Sequence, residues 1–333
     1  MNAKRRSGRA GAAVAAMVSA VMTAGLYACS GSGPATQPPP GGSVPPNPPG
    51  KGVSPFTGLP AESAPVLAVK IDNVRPARPH TGLGAADIVY VEQVEAGQTR
   101  LLAVYSSRLP ATVGPVRSAR ESDLELLRQF GRPALAYSGE QSALRPLVDA
   151  APLFPLTPGD ARGAYFRSQD RPAPHNLYVR PERALAAAPE AGKAKDIGFR
   201  FGAAPPGGNR VDQHTVRYPA TRFTFTWSAT GERWLVAMDG TPTRTTDGGR
   251  ATARTVVVQN VEVRPSRFRD RGGNVTPYTE TVGSGTALVL RDGRSHAARW
   301  SRPAADGVTS FTTLGGEPLT FAPGQVWVVL TGR

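Results

Sequence analysis

The chain has 333 residues, enough for two ordinary domains or one large one. It carries 39 Lys plus Arg against 25 Asp plus Glu, a formal charge of +14, with 37 Gly, 33 Pro and a single Cys. One thiol excludes an internal disulfide framework and a multi-cysteine zinc site, while 40% hydrophobic and 19% charged residues indicate a globular body.

Lys4, Arg5, Arg6 and Arg9, followed by the uncharged apolar run Ala10 to Leu26, read as a secretory signal over residues 1–28. The run is marginal in length for a membrane span and is interrupted by Gly11, Ser19, Thr23 and Gly25. It ends in Leu26-Tyr27-Ala28-Cys29, which resembles the lipobox of bacterial lipoproteins, where the chain is cut before the Cys and the thiol is acylated. The expected partner is therefore the membrane, through lipidated Cys29 at its extracytoplasmic face; an uncleaved anchor and plain secretion are the alternatives. Residues 29–55, with Pro38 to Pro40, Pro45, Pro46, Pro48 and Pro49, read as an extended polyproline tether. Export removes a basic chain from nucleic acid. Anionic lipid heads, an anionic cell-wall polymer or another envelope protein become the counterparts, against the plain alternative of a solvated basic surface.

The expected fold class is α+β: an N-terminal α/β domain at 56–200, a boundary at 201–210 and a β-rich domain at 211–333. Val66 to Ile71, Ile88 to Val91 and Leu101 to Tyr105 are apolar runs that predict buried strands. Ser118 followed by Glu121 has capping-box spacing and predicts a helix from about Ala119 to Phe130. Pro133 to Tyr137 reads as a further strand, and Gln141 to Ala150 as a helix that Pro146 should break or kink. Pro181 with Glu182 starts a last helix through Ala188. Beyond Val211 the pattern becomes short strands. Phe223 and Phe225 alternate with polar neighbours, and Arg233 to Met238, Thr255 to Gln259, Thr286 to Arg291 and Val326 to Thr331 supply further runs, with tight turns at Asp239-Gly240, Asp247-Gly248 and Asp292-Gly293.

Phe56-Thr57-Gly58-Leu59-Pro60, Val69-Lys70-Ile71-Asp72-Asn73, Ala77-Arg78-Pro79, Ala86-Asp87-Ile88-Val89-Tyr90, Gly114-Pro115-Val116-Arg117-Ser118-Ala119-Arg120 and Ala173-Pro174-His175-Asn176 follow one another in an order and spacing that resembles the YerB-like lipoprotein family. The resemblance continues through Trp300 and Pro323-Gly324-Gln325-Val326-Trp327, and is loosest at Asp239 to Arg254. It implies an exported, lipid-anchored protein with two domains of unknown function, and no reaction.

The candidate site must therefore come from the residues. Asp72 and Asn73 end the first strand, and Glu92 and Glu95 end the second, so they share a rim only if those strands run the same way. Two neighbouring carboxylates suit acid–base cleavage of a glycan; an Asx turn and ion pairs to arginine are the structural alternative. Arg117 and Arg120 bracket the expected cap Ser118 at a helix start, where cations require a negative partner. That partner is either an internal carboxylate or an external phosphate or carboxylate, and Arg100 can join either arrangement. His175 and Asn176 lie in a Pro-rich loop and read as acid–base groups or as a loop clamp. No HExxH, GxSxG or P-loop occurs, so neither a metal nor a cofactor is expected. The reading that results is an envelope lipoprotein acting as a binding or scaffolding module with an anionic ligand site. The alternative is a cell-wall glycan hydrolase or lyase.

Overall fold

The computed structural model describes residues 52–332. The expected signal sequence, Cys29 and the tether up to residue 51 lie outside the described residues.

The apolar runs become β1 (Leu67–Asp72), β2 (Ile88–Gln93) and β3 (Thr99–Tyr105). These strands are buried on both faces, and that double burial makes them read as continuous rather than alternating runs. They are followed by α1 (Glu121–Leu127), β4 (Ala134–Ala136), α2 (Arg145–Ala150), β5 (Phe154–Leu156), β6 (Tyr165–Arg167), β7 (Leu177–Val179) and α3 (Pro181–Ala186). The helices are shorter than the sequence pattern predicts. The helix expected over 119–130 is α-helical only in α1 and tightens into a 3-10 turn, Arg128–Phe130, before Gly131 at φ 80°. Pro146 breaks no helix: it occupies the first turn of α2, where a missing N–H leaves no hydrogen bond unmade.

The second half supplies β8 (Asn209–Arg210), β9 (Gln213–Arg217), β10 (Arg222–Ser228), β11 (Arg233–Met238), β12 (Thr241–Pro242) and β13 (Thr252–Ala253). The long β14 (Thr255–Arg269) follows, then β15 (Val275–Glu280), β16 (Gly283–Arg291), β17 (Arg294–Arg302), β18 (Ser310–Thr313) and β19 (Val326–Gly332). At Asp239-Gly240 and Asp292-Gly293 both residues take positive φ, the geometry that lets a two-residue turn follow the twist of its strands.

The described residues are mostly β. One mixed sheet of 12 strands has the order β18-β17-β16-β14-β19-β2-β3-β1-β4-β5, with β15 added to β14 and β8 to β17. The last strand, β19, lies between the halves, parallel to β14 on one side and to β2 on the other. Residues 201–210, the expected boundary, contribute the short β8 to this same sheet. A second sheet, β12-β11-β10-β9 with β13 on β11, covers one face. There Phe223 and Phe225 meet Trp327 with ring centroids 6.5 and 6.1 Å apart. The opposite face carries α1 and an aromatic cluster in which Phe56 meets Phe130 edge-on at 5.4 Å. Each such buried ring contributes about 1.5–3 kcal/mol over an exposed one. Beneath α1 that face is apolar through Ala68, Tyr90 and Leu102, then turns polar at Lys70, Asp72, Glu92 and Arg100.

Candidate functional site

Both β1 and β2 pair antiparallel with β3 and therefore run in the same direction. That settles the question of the rims. Asp72 and Glu92 sit at the ends of two parallel-running strands, and each lies opposite Arg100 at the start of β3. The connection after β2 turns sharply through Ala96 (φ 54°) and Gly97 (φ 66°), and Glu95 is mostly buried there. The β14–β15 hairpin comes from the other half of the chain to close the opposite wall: Thr276 donates to Glu95, and the Thr279 N–H donates to Ser122 Oγ at 2.9 Å.

Asp72, Glu95, Arg100, Arg117 and Arg120 all line one open cavity of about 690 Å³. Arg120 grips Glu95 with two parallel bonds, Nε to Oε1 at 2.6 Å and Nη2 to Oε2 at 2.8 Å. Burial alone raises the Glu95 pKa, but the Arg120 guanidinium and the Thr276 hydroxyl outweigh it and hold this carboxyl below its usual range. Asp72 Oδ2 lies 3.2 Å from Arg117 Nε and 2.8 Å from His175 Nδ1. Arg100 differs from both. It is 8% exposed, donates from Nη1 to the Ser118 carbonyl at 2.7 Å, and among the described residues forms no ion pair with a carboxylate. Burial above all, then Arg120 and Arg117, pull its pKa down to about 9 against the attraction of Glu95 and Asp72, so the wall of the cavity holds a cation whose nearest carboxylates are engaged by other arginines.

The expected cap is corrected. Arg120, not Ser118, is the N-cap of α1, and the Asp123 carboxylate accepts the Arg120 N–H at 2.6 Å. Asp123 wins because it stands three residues inside the helix from Arg120, whereas Ser118 Oγ faces Ser138 Oγ at 3.4 Å. Three candidates do not line the cavity: His175 reaches it only through Asp72, and two lie elsewhere. Asn73 is buried, donates to Thr99 Oγ1 at 2.8 Å and accepts from Arg78, so it braces a loop. Asn176 clamps the β6–β7 connection through Arg167 Nη1 at 2.7 Å and the Ser168 carbonyl at 2.9 Å. Glu92 is not in the cavity either. It is sealed behind it with Lys70 and Asp123, the Lys70 ammonium contacting both carboxylates, Asp123 Oδ1 at 2.6 Å.

Sequence reasoning passed over Lys70, Asp123 and His80. A lysine inside an apolar run is a signal that a carboxylate must meet it, but not which one. His80 is fully buried with Nε2 2.9 Å from the Asp72 carbonyl, and burial lowers its pKa to about 4, so the neutral ring donates to that carbonyl. Among the described residues no group of three or more His, Cys, Asp or Glu could hold a metal ion. No helix among them is long and apolar enough to cross a membrane.

Two family profiles match the chain: the N-terminal domain of a protein of unknown function (DUF3048) over residues 56–194, and the DUF3048 C-terminal domain over residues 214–328. The chain is 28% identical over 297 residues to the Bacillus subtilis (strain 168) protein named "Putative lipoprotein YerB", covering 83% of this chain and 85% of that one. It also shares its fold with the crystal structure of YerB protein from Bacillus subtilis, with a TM-score of 0.71, 23% identity, and coverage of 84% of this chain and 96% of that one.

Proposed function

We propose, on the premise that this chain belongs to the two-domain DUF3048 family of YerB-like proteins, that it is an exported, lipid-anchored binding module whose cavity takes an anionic group of a cell-envelope component. The signal sequence and Cys29 support the location. The observation that carries the binding role is Arg100, a buried guanidinium on the cavity wall with Arg117 and Arg120 beside it and no carboxylate of its own. A carboxylate or phosphate entering the cavity supplies the missing counter-charge, and the guanidinium fork matches either one. The acids singled out for the glycan hydrolase alternative, Asp72, Glu92 and Glu95, do not favour it. Cleavage of a glycosidic bond requires one protonated carboxyl near a second carboxylate, yet Glu95 and Asp72 are both held by cations and Glu92 is sealed away from the cavity.

Thermal unfolding of the protein with inorganic phosphate or a muropeptide tests this reading. The expected result is a rise in Tm that saturates with ligand, as mass action requires of a site present only in the folded state, and a loss of at least about tenfold in affinity in Arg100→Met. No rise with any anion in the wild type, or an equal rise in Arg100→Met, would remove the site.

A further inference from the structure

Behind the cavity wall, Lys70 of β1, Glu92 of β2 and Asp123 of α1 form a closed group at 0%, 1% and 0% exposure. Lys70 Nζ reaches both acids, one more than a single ammonium can neutralise out of reach of bulk solvent. An ion pair between β1 and α1 calls for one acid, so the second asks for an explanation.

The two acids are held differently. Asp123 Oδ2 accepts the Arg120 backbone N–H at 2.6 Å, while Oδ1 faces Lys70 Nζ at 2.6 Å. Glu92 presents Oε2 to the same nitrogen, and its Oε1 is buried with no hydrogen-bond partner among the described residues. Asp123 is thus a fixed carboxyl with an N–H donor placed on the oxygen that would carry negative charge if its carbon were attacked. Glu92 touches the attacking nitrogen and has a free oxygen. Burial above all pushes the Glu92 pKa up to about 8, with Asp123 adding to the rise and Lys70 opposing it, so Glu92 is poised to hold a proton and pass it on.

We propose that Lys70 and Asp123 condense to an intramolecular isopeptide bond, with Glu92 as the proton shuttle. In the closed site a proton passes from the ammonium to the Asp123 carboxylate, giving a neutral amine and a neutral acid. Lys70 Nζ then attacks Asp123 Cγ, and the charge that forms on Oδ2 falls on the Arg120 N–H. Glu92 takes a proton from nitrogen and delivers one to Oδ1. From the ammonium and carboxylate, one Nζ–Cγ bond and the two O–H bonds of water form, two Nζ–H bonds and the Cγ–Oδ1 bond break, one water leaves, and Glu92 returns to its starting state. No oxidant, metal or other reactant is required. The product replaces a buried ion pair with an amide and ties β1 covalently to the start of α1, beside the Arg117–Arg120 cavity wall. An exported chain with one Cys has no internal disulfide to serve that purpose.

Peptide mapping of the full chain in detergent decides the matter. Trypsin does not cut after an amidated lysine. The wild type should therefore yield the Lys70 segment uncut at Lys70 and joined to the peptide Glu121–Arg128, one water lighter than the two together. Separate peptides, with cleavage after Lys70, would overturn the proposal on the wild type alone. Asp123→Asn should still join, with ammonia leaving in place of water, and Lys70→Arg should not. Glu92→Gln, close in size, should give unjoined peptides; joining as complete as in the wild type would overturn the role given to Glu92.

Discussion

Lys70 and Asp72 stand two residues apart on β1 with side chains on the same face, yet they belong to different worlds. Lys70 is roofed by α1 and meets two carboxylates out of contact with water. Asp72 lies beyond the end of that roof, on a cavity, where Arg117 and His175 reach it from the solvent side. The sealed group has one acid too many, whereas the open group has one arginine without an acid. The lesson is that position along the strand assigned the two roles: an imbalance under a roof must be resolved inside the protein, and an imbalance at a cavity can be resolved by a ligand.

The largest effect should come from the sealed group. Lys70→Met leaves Glu92 and Asp123 without the group that joins them, as an ammonium or as the amide proposed above, and breaking a buried pair by removing one partner costs about 3–5 kcal/mol. Denaturant unfolding measures it. A cost near that of an open-group variant would erase the distinction between the two sites.

Arg120→Ala should fall between. It strands the partly buried Glu95 and removes two charge-assisted hydrogen bonds, at about 1.5–3 kcal/mol. Its pH dependence identifies the cause. Arg120 depresses the folded-state pKa of Glu95, so the pair stabilises the fold above the ordinary carboxylate range near 4.5 and loses that effect as pH falls through the lower folded value. Stability of wild type minus variant, followed from pH 7 downward, should shrink in that acid window. A difference that stays constant with pH would show that Arg120 acts through packing alone.

Much of the strand framework was legible. Both ends of β11, the start of β19, and the turns at Asp239-Gly240 and Asp292-Gly293 follow from local periodicity and turn chemistry. The start of α1 was not, because Ser118 and Asp123 both have capping chemistry and tertiary contacts chose between them. Nor was the insertion of β19 between β14 and β2, a pairing of distant segments that leaves no local mark. Asp72, Glu95, Arg100, Arg117 and Arg120 were each singled out as candidates, but their convergence on one cavity stayed open, because it depends on β1 and β2 running the same way. Their pairing was not legible either, since whether Arg100 or Arg117 meets Asp72 depends on a few ångströms of backbone placement. Glu92 shows the same limit: it is adjacent to the rim in sequence, but its side chain points under α1 to Lys70.

The smallest effect belongs to Arg117→Ala, and it tests the open group most directly. Arg117 keeps 29% of its side chain exposed and approaches Asp72 at 3.2 Å with one nitrogen, while His175 holds the same oxygen at 2.8 Å. Asp72 therefore keeps a partner when Arg117 is lost, and the cost should be at most about 1 kcal/mol, the range of a solvent-screened pair. Salt should shrink it further, because screening acts on exposed pairs and spares buried ones. Raising ionic strength should bring Arg117→Ala toward wild type in a denaturant titration and leave Lys70→Met where it was. A loss of several kcal/mol in Arg117→Ala, insensitive to salt, would mean that Asp72 depends on Arg117 as Asp123 depends on Lys70, and that both groups on β1 are sealed.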